Sequence, residues 1–62
     1  MLILKQVRKE HGLSLAKLSE LSGVPQRTIE DAEARKSCKI ETAAKLAKAM
    51  NTTIDSLWQY EE

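Results

Sequence analysis

An all-α fold of five short helices is what this chain predicts, and three observations carry that reading. Apolar residues recur at spacings of three and four, β-branched residues form no alternating run, and Gly12, Gly23 and Pro25 fall between the periodic segments. With 62 residues the expectation is a single domain over 1–62, its connections only a few residues long. A chain of that size buries only about 60% of the surface its unfolded form exposes, so little stability is held in reserve. At 42% apolar and 31% charged residues the composition is that of a soluble globular domain rather than a disordered tail. With almost no aromatics, Leu, Ile, Val and Ala must form the core.

The first helix is expected over about 3–10, with Leu4 and Val7 inward, Lys5, Lys9 and Glu10 outward, and Gly12 as its stop. Ser14 is placed to cap a second helix over 14–22, whose apolar stripe is Leu15, Leu18 and Leu21. Gly23 suits a backbone with positive φ, and Val24 then drops into the core. Pro25 suits the first position of a third helix, 25–34, with Ile29, Ala32 and Glu33 inward. Arg35 to Lys39 reads as a basic loop, and a fourth helix over 41–50 carries Ala43, Leu46, Ala47 and Met50. Asn51 would end it, and Thr52 or Thr53 would start a fifth helix over 53–59 that lays Ile54, Leu57 and Trp58 on the core. Helices two and three, joined by the Gly23 turn, form a helix-turn-helix, an arrangement that places the start of its second helix against base edges in the DNA major groove.

Several function classes are excluded or disfavoured. Cys38 is the only cysteine and His11 the only histidine, which argues against an internal disulfide, a metal cluster or a Cys-His pair. His11 is better placed to meet the carbonyls ending helix one, and Cys38 to act as a small, partly buried loop residue. No enzyme, cofactor or small-molecule ligand is implied, and the single thiol with no recognisable leader suits a reduced, cytoplasmic setting, nucleoid-associated when bound to DNA. Met1 to Leu4 is the longest apolar run, far short of the roughly 20 residues that cross a bilayer, so no membrane is expected. Net charge is only +1, but residues 1–25 and 26–50 each carry +2 while Asp55, Glu61 and Glu62 make the last twelve −3. An anionic partner should meet the first fifty residues.

The combination Gly12-Leu13-Ser14, Leu18, Gly23-Val24, Thr28-Ile29, Glu33, Thr42 to Met50 and Ile54-Asp55-Ser56-Leu57 resembles the phage-repressor-like helix-turn-helix family, also called the xenobiotic-response-element type. The likeness runs from about Leu4 to Trp58. It implies a compact five-helix, lambda-repressor-like DNA-binding domain that works as a transcriptional regulator on double-stranded DNA, usually dimeric on a palindromic operator. By that resemblance Gln26, Arg27 and Asp31 contact bases. Gln can pair with adenine N6 and N7, Arg with guanine O6 and N7, and Asp can accept from cytosine N4, each good pair being worth about 1–3 kcal/mol of discrimination. Lys17, Thr28, Arg35, Lys36 and Lys39 are the implied contacts to the DNA backbone, giving affinity and orientation rather than sequence choice. Arg8 and Glu33 match an Arg and a Glu that meet as a partly buried ion pair.

Four features depart from the family pattern. Leu15 stands where a Gln reaches a phosphate, and Pro25 where a Ser or Thr supplies a capping hydroxyl. Glu30, Asp31 and Glu33 against Arg27 and Arg35 leave helix three at −1. Arg35 replaces the Gly that usually follows this helix, and a left-handed non-Gly residue costs about 1 kcal/mol or more, so a different loop path is expected. The acidic third helix and the apolar ends also suit an alternative: a protein-interaction module on the same fold, for instance an inhibitor of another regulator. A homodimer through Trp58, Tyr60 or the apolar N-terminus is the further partner expected.

Overall fold

Four α-helices, α1 (Leu4–Glu10), α2 (Leu15–Ser22), α3 (Gln26–Arg35) and α4 (Ile40–Ala49), precede one 3₁₀ turn, Asp55–Leu57, in a computed structural model that describes residues 1–59. Each helix ends where local chemistry stops it. After α1, Gly12 turns left-handed at φ 68°, and the amides of Gly12 and Leu13 close onto the carbonyls of Lys9 and Arg8. The His11 ring donates from Nδ1 to the Val7 carbonyl at 2.9 Å at the same helix end.

Ser14 caps α2, its hydroxyl accepting from the Lys17 amide at 3.0 Å. Gly23, at φ 75°, ends that helix. The turn into α3 is then tied by two serines. The Ser19 hydroxyl donates to the Val24 carbonyl at 2.6 Å, and Ser22 Oγ accepts from the Val24 amide at 3.1 Å.

Pro25 lies one position outside α3 rather than in its first turn; its extended ψ of 140° brings the chain in, and its carbonyl takes the Ile29 amide. At the far end Arg35 remains helical, and the left-handed residue is Lys36, at φ 56° and ψ 37°. The loop thus keeps a left-handed stop without Gly, displaced by one residue from Arg35. Asn51 does the same after α4 at φ 54°, with the Asn51 and Thr52 amides on the carbonyls of Lys48 and Ala47.

Leu4, Leu18, Ile29, Leu46 and Leu57 are the largest side chains sealed in the centre, with Leu2, Val7, Val24, Ala32, Ala43, Ala47 and Met50 around them. α2 packs on both α3 and α4, while α1 and the 3₁₀ turn close the remaining side. Two expectations are corrected here. Leu21 does not continue the buried stripe of α2; it is 49% exposed, because each step of three residues falls about 60° short of a full helical turn and carries Leu21 off the line of buried Leu18. The fifth helix over 53–59 is a single 3₁₀ turn followed by extended backbone at Trp58. There the chain is captured by the N-terminus: Leu2 and Trp58 form an antiparallel bridge, and the Ile3 amide donates to the Leu57 carbonyl at 2.7 Å. Tyr60, offered as a dimer contact, lies outside the described residues.

Candidate nucleic-acid interface

α3 presents two faces of opposite character. Ile29 and Ala32 are buried, and Glu33 turns inward beside them. Arg8 Nε donates to Glu33 Oε2 at 2.7 Å and Nη2 to Oε1 at 3.3 Å, with both side chains only 9% exposed. Nη1 donates to the Leu13 carbonyl at 2.8 Å. One guanidinium thereby ties α1, the α1–α2 connection and α3 together, which fixes how far α3 stands out from the body.

Opposite that anchor, Arg27 and Asp31 lie one turn apart on the outward face of α3, flanked by Gln26 and Thr28, and all four are exposed. Withdrawal of Glu33 changes the electrostatics expected of this helix. Glu30 and Asp31 remain outside against Arg27 and Arg35, so the solvent side of α3 is neutral rather than −1.

Thr28, Asp31, Arg35 and Lys39 line a single groove between α3 and the start of α4. Thr42 and Ser37 complete its wall, two hydroxyls that the sequence reading did not single out; Thr42, three residues after Lys39, shares its side of the first turn of α4. No side chain caps α3 or α4, so the first amides of both helices stay open to solvent or to an anion. Cys38 lines the same groove half-buried, and burial pushes its thiol pKa up.

Two of the expected backbone contacts stand apart from this groove. Lys17 is exposed on α2, where it meets Glu20 at 3.8 Å in a loose surface pair. Lys36 lines a different groove, beside α1.

Comparison with known proteins decides the family. A family model described as helix-turn-helix, of the xenobiotic-response-element type, matches residues 4–57. The chain belongs to that family of DNA-binding regulators. No curated protein matches the chain. The matched span of this helix-turn-helix protein opens with α1 and closes with the 3₁₀ turn, taking in both partners of the Arg8–Glu33 pair. Among the described residues no helix is long and apolar enough to cross a membrane, and no three His, Cys, Asp or Glu side chains gather as a metal site.

Proposed function

We propose that the protein is a sequence-specific transcriptional regulator that sets α3 into the major groove and acts as a homodimer on a palindromic operator. The observation that carries this reading is the outward placement of Arg27 and Asp31, with Gln26 beside them, on a helix whose other face is locked by Ile29, Ala32 and the Arg8–Glu33 pair. Side chains that must reach base edges need a rigid base, and α3 has one. Gln26 pairs with adenine, Arg27 with guanine and Asp31 with cytosine.

Thr28, Arg35 and Lys39, with Thr42 beside them, hold one phosphate strand, and Lys17 and Lys36 add backbone contacts outside that groove. Leu15 and Pro25 remove two polar anchors, so the loop cations carry a larger share of the affinity. The neutral outer face of α3 favours DNA over a basic protein partner, since only Glu30 and Asp31 would attract one and Arg27 and Arg35 offset them.

Selection of bound duplexes from a random pool tests the proposal. It should enrich a two-fold symmetric sequence with half-sites about one helical turn apart. Uniform recovery of all sequences at low salt would refute it, and retention of a protein through Glu30 and Asp31 with no DNA would favour the interaction-module alternative.

A further inference from the structure

α3 and α4 both pack on α2, with little direct contact between them, so the groove lined by Arg35 on one side and by Lys39 and Thr42 on the other is spanned by the connection 36–39. That connection holds itself loosely. Lys36 occupies the left-handed region at φ 56°, a strained conformation for a residue with a side chain, and the Lys36 and Ser37 amides converge on one carbonyl, that of Ala32, with Ser37 at a long 3.3 Å. Cys38 adds a half-buried side chain packed against the core. The clasp comes from the far end of the chain: Leu2 donates its amide to the Lys36 carbonyl at 3.0 Å, and among the described residues no other backbone hydrogen bond reaches 36–39 from outside α3 and α4. Leu2 is itself firmly held. Its side chain is buried in the core, it pairs with Trp58, and the next amide, that of Ile3, donates to the Leu57 carbonyl at 2.7 Å.

We infer that Leu2 is a positioning residue for DNA binding, its amide fixing the Lys36 peptide so that Arg35 on α3 and Lys39 at the start of α4 stand at the spacing at which both meet phosphate. Leu2, being buried, touches no phosphate itself. A connection without its clasp divides its time among several poses, and apparent affinity falls by the fraction of time in which the two cations are out of place. Two adjacent amides thereby have separate duties: that of Leu2 serves the DNA-facing connection, and that of Ile3 the closing 3₁₀ turn.

This role rests on the proposed phosphate contacts, and replacement of single amides by esters tests it with every side chain retained. The full chain is assembled from synthetic segments joined at Cys38, with an ester in place of the Leu2 amide or, as a control, of the Ile3 amide. The Ile3 ester loosens the same pairing with residues 57–59 but leaves Lys36 its donor, so the melting temperatures of the two should fall together. Binding is read well below both, at low salt, with a duplex of arbitrary sequence, where phosphate contacts supply the affinity. The Leu2 ester should bind about threefold to tenfold more weakly than the parent, and the Ile3 ester within about twofold of it. In the Lys39→Ala background the loss from the Leu2 ester should shrink below about twofold, a coupling that a general loosening of the fold would not produce. In the unmodified protein the same duplex should slow hydrogen exchange at the Leu2 amide more than at the Ile3 amide, because the clasp and the DNA favour one pose. Equal binding by the parent and the Leu2 ester, equal losses in the two esters, full additivity with Lys39→Ala, or equal protection of the two amides would each overturn the role of Leu2. If Lys39→Ala itself binds like the parent, the phosphate contacts fall first and the role of Leu2 falls with them.

Discussion

Asp31 and Glu33 are acids two residues apart on one helix, and they have opposite fates. Glu33 is drawn inward to a two-pronged hydrogen bond with Arg8, while Asp31 stays in solvent beside Arg27. The same contrast separates the two arginines. Arg8 is 8% exposed and makes three hydrogen bonds within the fold; Arg27, among the described residues, makes no ion pair. A charge that has spent its hydrogen bonds on the fold can only support, whereas one left in solvent on a rigid helix is available to a ligand. The difference teaches that charge type alone says little about α3: its anchored face sets position, and its free face carries the chemistry.

The comparison is most sharply broken at Arg8. Arg8→Ala leaves Glu33 buried without its partner, which should cost about 3–5 kcal/mol, comparable with the whole stability of a domain this small. Thermal melts should show the variant largely unfolded, while Arg27→Ala melts like the parent; equal melting temperatures would dissolve the distinction between the faces. A smaller effect is expected at the start of α2. Ser14→Ala removes the hydroxyl that accepts from Lys17 and should cost about 0.5–2 kcal/mol by chemical denaturation.

On the DNA side, Lys39→Ala should weaken binding to all sequences alike and reduce the slope of log affinity against log salt by about 1. A loss confined to particular base pairs would move Lys39 from the backbone to the bases. The smallest effect is Lys36→Gly, which relieves a left-handed backbone but frees the unfolded chain, for a net stabilisation below about 1 kcal/mol. Because the same change removes a cation, DNA affinity should fall as the melting temperature rises.

Most of the fold was legible because its signals are local. Ser14, Gly12 and Gly23 mark helix ends through their own backbone and hydroxyl chemistry, and Leu18, Ile29 and Leu46 announce buried faces by spacing. The last element was not legible for the opposite reason. Ile54, Leu57 and Trp58 have helical spacing, but one 3₁₀ turn satisfies it, and Trp58 is held extended by Leu2, a partner at the other end of the chain. Pattern within a segment carries no record of such a pairing. The candidate site divides in the same way. Exposure of Gln26, Arg27 and Asp31 follows from the period of α3, whereas the gathering of Thr28, Arg35, Lys39 and Thr42 around one groove depends on how α4 meets α3.

The central claim, that the free face of α3 reads bases while its anchored face only positions it, is tested most directly by a base-substitution series. Binding of the parent and of Arg27→Ala would be measured, at one fixed salt concentration, to the selected duplex and to every single-base-pair change within a half-site. Arg27→Ala should lose about 1–3 kcal/mol on the selected duplex and become indifferent to one guanine position, with all other preferences kept. An unchanged pattern of preferences in Arg27→Ala, or a loss spread evenly over every duplex, would contradict it.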